Sequence, residues 1–428
     1  MAITDTQRAR VPGGWTQELS PDGWLLFVTY GVRTFAYGFL SVILGPYLAA
    51  LGFEAGAIGW IFTASLAGGA VMTVALTTAA DRLGRRRMLL AGAVLMALAG
   101  LVFALTDRLF PLALAAIVGA ISPSGKDVGP FLALEQAMLP ETAPGRHRTS
   151  VFAAYNLVGS AASALGALAV GLPAVLGLAP LTGYRALLWA YAGVAVVLLV
   201  LFGRLTARVE VAAPRSPGGP RGLGVSRSRG VVARLAALFA LDSFAGGFVV
   251  QGLMAYWFYL RYGVDTAGLA GIFFATNLLS AISFLAAAPI ARRIGLLNTM
   301  VFTHLPSNVL LLFVPLMPGL PLAVVMLLAR QLLSQLDVPT RQSYTMAVVA
   351  PEERAAAAGL TAVARSVAAA VAPAFAGVTL AAPALGLPFL VAGALKIVYD
   401  LTILAVFRHV RPPEEAGGRP RQRVGNRA

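Results

Sequence analysis

Lys126, Asp127 and Glu135 stand within residues 121–141, ISPSGKDVGPFLALEQAMLPE, inside a long apolar segment. A cation beside an anion in such a setting suits two tasks: gripping an ionised solute, or carrying a proton on the carboxylate. A charge at the bilayer centre costs roughly 2.5–3.5 kcal/mol on insertion scales, so residues of this kind are kept for use. Pro123, Gly125, Gly129 and Pro130 leave backbone groups unpaired at the same depth, which is tolerable only against protein or a wet cavity. The stretch reads as half of a substrate or coupling site. Within it Asp127 is the expected proton carrier, and Glu135 is expected at the edge as a partner for loop arginines.

Other polar residues recur in apolar surroundings: Arg33, Tyr37, Asp242, Arg330, Gln331, Gln335, Asp337, Arg341 and Arg365. All but Arg341, which is placed low enough to snorkel, are read as substrate or coupling residues. Gln331 and Gln335, four apart, would share a helix face, with Pro339 breaking the helix. Lys396 and Asp400, also four apart, are expected to neutralise one another. Catalysis has no counterpart constellation. The chain has no cysteine, and His147, His304 and His409 are scattered, so neither an enzyme activity nor a metal or other cofactor is expected.

The elements that must position these groups are membrane helices. Of 428 residues, 58% are hydrophobic and only 12% charged, against about 25% charged in soluble domains. Runs of about 20 apolar residues predict twelve spans: 24–50, 57–79, 88–106, 110–139, 150–172 and 185–204, then 231–259, 269–290, 299–316, 320–349, 355–380 and 387–407. Net charge is +15, but the arginines lie in short loops and tails between spans, which argues topology rather than nucleic-acid binding. They cluster on one side, in the run Arg82 to Arg87, at Arg146 and Arg148, at Arg292 and Arg293, and in the linker and C-terminal tail. The positive-inside rule then places both termini in the cytoplasm, in a plasma membrane. The polar stretch before the first span has no short apolar region with a cleavage site, so no signal peptide is expected to be removed. The expected organisation is a tail (1–21), a six-helix bundle (22–209), a flexible Pro/Gly/Ser/Arg linker (210–230), a second bundle (231–410) and a tail (411–428).

The two halves repeat. A shift of 211 residues carries Arg82-Leu83-Gly84 onto Arg293-Ile294-Gly295 and Lys126 onto Asp337. A shift of 209 carries Arg33 onto Asp242. Both aligned pairs have opposite charge, which suggests Arg33/Asp242 and Lys126/Asp337 as gate salt bridges or substrate contacts facing each other across the molecule.

With twelve spans, a parallel repeat and the loop Asp81-Arg82-Leu83-Gly84-Arg85-Arg86-Arg87, the chain resembles the major facilitator superfamily. The superfamily loop reads Gly-x-Leu-Ala-Asp-Arg-x-Gly-Arg-Arg; here Thr77 replaces the Gly and Ala79 the Leu. The resemblance implies an all-α fold of two pseudo-symmetric six-helix bundles around a central cavity. It also implies a conformational latch at Asp81, Arg82, Gly84, Arg85 and Arg86. Gly119 stands where the repeat places Arg330, and the fifth span lacks a Gly-Pro pair, which weakens the case for the proton-antiporting drug exporters.

The expected function is secondary active transport of a small solute by rocker-switch alternating access, coupled to protons or another ion. Efflux of drugs or metabolites and transport of an organic anion both fit. The chain is expected to act as a monomer in the bilayer. A non-transporting membrane receptor or assembly factor on the same fold is the alternative.

Overall fold

Ser20 opens the first span, Pro21–Ala50, by accepting the Gly23 N–H at 3.1 Å, with Pro21 pre-set for the first helical turn. The computed structural model describes residues 15–125, 129–142, 148–210, 225–381 and 386–410. The remaining spans of the first half are Ala55–Leu83, Arg85–Leu105, Leu109–Val118 with Pro130–Met138, Arg148–Ala169 and Pro180–Gly203. Those of the second half are Arg229–Gly247 with Gln251–Tyr262, Thr266–Ile294, Leu296–Phe313, Leu320–Ser334 with Asp337–Val348, Arg354–Ala381 and Leu387–Phe407. This is the expected fold class, an all-helical pair of six-helix bundles, and the protein is a multi-pass membrane protein.

Spans four, seven and ten are each broken. Proline explains the tenth: the Pro339 ring clashes with the carbonyl four residues back, at Gln335, so Leu320–Ser334 stops there and Asp337–Val348 restarts. The sequence places the break at Pro339 itself; sterics move it one turn earlier and take Gln335 out of the helix. The expected continuous helix over 110–139 likewise divides, ending at Val118 and resuming at Pro130. Gly119 cannot carry a side chain there, because a Cβ would collide with Ala99 and the Ala115 carbonyl oxygen. Ala120 follows with φ +55°, strained for a residue with a side chain, and Gly125 adopts φ +67°.

The halves meet away from the arginine-rich loops. Gly59 and Gly377 let the second and eleventh spans touch backbone to backbone, a Cβ at Gly59 meeting the Pro373 oxygen. Thr63 Oγ1 accepts the Ala374 N–H at 2.9 Å, Gln251 donates to Ser41 Oγ at 2.9 Å, and Gly252 N–H donates to the Pro123 oxygen at 2.9 Å. Gly59 and Gly377 lie near the helix ends opposite the arginines, and Ser41, Pro123 and Gln251 lie toward the middle of their spans.

On the arginine-rich side, closure stays within each half. Glu210 accepts the N–H groups of Arg85 (2.7 Å) and Arg86 (3.0 Å), satisfying donors at the start of the third span. Arg86 also donates to the Gly203 oxygen and Arg85 to that of Ala137 at 3.3 Å. Glu353 does the same in the second half, accepting the N–H groups of Ser226 (2.7 Å), Arg227 (2.7 Å) and Ser228 (2.8 Å). The linker expected to be flexible over 210–230 is therefore pinned at both ends, with 211–224 outside the described residues.

Candidate charge clusters in the two bundles

Arg33 and Glu135 are both fully buried and meet through paired bonds, Nη1 to Oε1 at 2.8 Å and Nη2 to Oε2 at 2.5 Å. The first span supplies the arginine and the second piece of the fourth supplies the acid. Thr29 donates to Oε1 at 3.1 Å, and the Tyr155 hydroxyl donates to Oε2. The guanidinium also stands 4.7 Å from the Phe131 ring centroid, while Tyr30 stacks on Tyr155 at 3.9 Å. Every oxygen of the carboxylate thus has a donor, as burial of an ion pair demands.

Two expectations are corrected here. Glu135 is not an edge residue serving loop arginines: it is 0% exposed in the bundle interior. Arg33 does not face Asp242, because Asp242 is engaged inside its own half. The repeat does not give direction; at about 100° per residue, a two-residue ambiguity in shift rotates a side chain by about 200°, to the other side of its helix. The Lys126 and Asp127 assignments lie outside the described residues. Tyr37 is buried beside Tyr191, with ring centroids 6.4 Å apart.

The second half holds a larger cluster. Asp242 on the seventh span receives Lys396 Nζ at 2.5 Å and Arg341 Nη1 at 2.9 Å. Arg341 is also 3.3 Å from Asp337, one turn earlier on its helix. His304 on the ninth span is 2.8 Å from Asp400 through Nδ1 and 3.9 Å from Asp242 through Nε2. Asn308, one turn along, donates to Asp400 Oδ2 at 2.8 Å. Lys396 and Asp400 therefore do not neutralise one another: the lysine turns to the seventh span and the acid to the ninth. Arg341, expected to snorkel, is held by Asp242 in the interior.

A third group contains donors without acids. Arg330 is buried; among the described residues its Nη1 donates to the neutral Gln331 Oε1 at 2.9 Å and its Nε has no partner. Gln331 donates to Ser280 of the eighth span at 2.8 Å, Gln335 donates to Ser334 at 3.2 Å, and Asn277 Nδ2 is buried and unpartnered. Gln331 and Gln335 stay in one group after the helix ends, because Ser334 Oγ donates to Gln331 Oε1 at 3.3 Å while accepting from Gln335. Arg365 bonds the Ser243 hydroxyl at 3.1 Å.

The loop after the second span turns through Gly84 at φ +95°, a conformation that excludes side chains, with Arg82 exposed beside it. Its arginines bind backbone oxygens and its amides bind Glu210; the side chain of Asp81 lies outside the described residues. A cavity of about 820 Å³ opens in the second half, lined by Arg292, Asn298, Thr340, Ser343 and Arg408. Pro339 and Ser343 put it on the opposite face of Asp337–Val348 from Arg341, so it is separate from the charge cluster.

The family model described as the Major Facilitator Superfamily matches residues 26–335. The chain belongs to the Major Facilitator Superfamily. The uncharacterized membrane protein YJR124C of Saccharomyces cerevisiae is 29% identical over 422 residues, covering 91% of this chain and 94% of that one. Among solved structures, the nucleoside transporter NupG aligns with TM-score 0.70 at 14% identity over 91% of this chain and 99% of its own. The xylose transporter XylE from E. coli, in an inward open conformation, aligns with TM-score 0.69 at 14% identity over 89% and 95%. These likenesses place the chain on the superfamily's transporter fold.

Sequence reasoning offers Asn308 as a possible cavity-lining residue but does not pick out His304 or Tyr155 as site residues, or Glu210 and Glu353 as caps. A signal existed for His304: His304 and Asn308 are spaced i and i+4 within a span, as are Lys396 and Asp400, and ionisable residues at that depth mark functional positions.

Proposed function

We propose that this superfamily member is a secondary active transporter moving a small organic anion by alternating access, driven by protons. The observation carrying this reading is Arg330: a buried cation at the break of the tenth span, with no carboxylate at ion-pair distance among the described residues and spare donors around it. A buried guanidinium is costly until an anion meets it, and discontinuous helices are where transporters bind solutes. Gln331, Gln335, Asn277 and Arg365 would complete the anion's shell. Arg33 with Glu135 holds the first bundle rigid beneath it.

With the arginine-rich loops in the cytoplasm of a plasma-membrane protein, the contacts at Gly59/Gly377 and Ser41/Gln251 seal the outer side. The conformation is then inward-facing, and the amide caps supplied by Glu210 and Glu353 keep each bundle intact while the halves part. The test is flux into proteoliposomes under an imposed pH gradient, screening carboxylates and phosphates against neutral and cationic solutes. Anions should move, and Arg330→Gln should abolish the flux. Movement that ignores the gradient sinks proton coupling, and binding without movement of any class favours a receptor.

A further inference from the structure

Three buried carboxylates, Asp242, Asp337 and Asp400, share one connected cluster with two cations, Arg341 and Lys396. One negative charge is left over, and the group standing between two of the carboxylates is an imidazole. His304 points Nδ1 at Asp400 and Nε2 toward Asp242, at 2.8 and 3.9 Å. A neutral imidazole can donate through only one nitrogen, leaving a lone pair on the other; the doubly protonated ring donates to Asp400 and turns its second N–H toward Asp242, an ion-pair contact rather than a hydrogen bond at 3.9 Å. Asn308 binds the second oxygen of Asp400, which keeps the acid turned toward the ring.

We infer that His304, clamped between Asp400 and Asp242, is the proton-binding group of this transporter and that its charge sets how tightly Asp242 holds Arg341. The inference rests on the proton-driven reading above and gives that reading a site. The proton arrives on the imidazole and leaves from it; no other bond changes. When His304 is charged, three cations share Asp242 and the Asp242–Arg341 bond is weakened. When it is neutral, Asp242 is shared by two cations only and the bond tightens. Asp242 lies five residues before the break that ends Arg229–Gly247, and Arg341 lies four residues into Asp337–Val348, just after the break in the tenth span. The bond therefore ties two hinged helices together, while the proton sits on the ninth and twelfth spans behind them.

The surroundings of His304 supply the rest of the field. The tenth span brings Arg330, Asp337 and Arg341, the eleventh Arg365, and the twelfth Lys396, Asp400 and the Tyr399 ring, 6.0 Å away and edge-on. The eighth span brings Arg292 and Arg293 only in its last turn. Asp127, the carrier expected from the sequence, belongs to the other bundle and makes the competing prediction.

The chain contains no cysteine, so Leu83→Cys with Ile294→Cys, 52% and 43% exposed on opposite bundles, gives a clean spin-label pair. In nanodiscs without solute, the inter-label distance should shift as pH moves between about 5 and 8. The shift should vanish in His304→Gln and Asp400→Asn and persist in His409→Gln. A shift that survives both cluster variants, that Asp127→Asn alone removes, or that the parent never shows overturns the inference. Should the variants fold poorly, histidine-¹⁵N NMR of the parent decides: His304 must gain a second ring proton in this range, and a ring that stays neutral or stays charged throughout overturns the assignment. Gradient-driven flux that persists in His304→Gln sinks this site but leaves transport standing. A parent whose flux ignores the gradient yet which keeps the His304-dependent shift loses the proton-driven reading and keeps the proton site.

Discussion

Arg33 and Glu135 lock the first and fourth spans together through two parallel bonds of 2.8 and 2.5 Å, both side chains wholly out of solvent. Removing one partner strands a buried charge, which costs about 3–5 kcal/mol. Glu135→Gln should therefore lower the thermal unfolding midpoint in detergent sharply. Arg33→Met with Glu135→Leu should recover most of that loss, since apolar replacement of both partners is often neutral. A double variant no more stable than Glu135→Gln would show that the pair does more than neutralise itself.

The seventh span's Asp242 takes its partners from the tenth and twelfth. An Arg33→Asp, Asp242→Arg exchange should consequently fail to restore transport lost by either single change, because the exchange places like charges together in both bundles. Lys396→Met should abolish proton-driven flux while Lys396→Arg retains part of it. Uptake measured side by side in proteoliposomes checks both statements, and restoration by the Arg33/Asp242 exchange would refute the assigned partners.

Glu353, in the loop after the tenth span, has its carboxyl lowered from an ordinary 4.5 to about 2, chiefly by the Ser226 N–H and then by those of Ser228 and Arg227. A lowered carboxyl contributes stability that is present above 4.5 and disappears as pH falls toward 2. Glu353→Gln should destabilise the protein at neutral pH and flatten the acid limb of its stability profile. Thermal unfolding across that range measures it; an unchanged acid limb would refute the cap.

Gly59 and Gly377 permit the tight outer contact between the second and eleventh spans. Gly59→Val would drive a side chain into the Pro373 oxygen and the Gly377 backbone. The variant should favour states with the outer side parted, seen as a shorter distance between labels at positions 83 and 294. A distance unchanged from the parent would mean that this contact does not set the equilibrium.

Much of the architecture was legible in the chain. Apolar runs marked all twelve spans, because a helix crossing lipid must be long and apolar. Arginine placement separated the two faces, and the 211-residue shift revealed the repeat. The buried charges were also visible as residues, since nothing else in an apolar span is so costly.

Partners were a different matter. Sequence arithmetic paired Arg33 with Asp242 and Lys396 with Asp400, and the fold pairs Arg33 with Glu135, Lys396 with Asp242, and Asp400 with His304. Composition and periodicity determine which segments enter the membrane. Which way a side chain points depends on helix rotation, and that is decided by packing: by Gly59 against Gly377, by Pro339 displacing the helix at Gln335, by Tyr30 stacked on Tyr155. A residue turns by 100° for each step along a helix, so only the assembled bundles could bring three acids, two cations and one histidine to a single point.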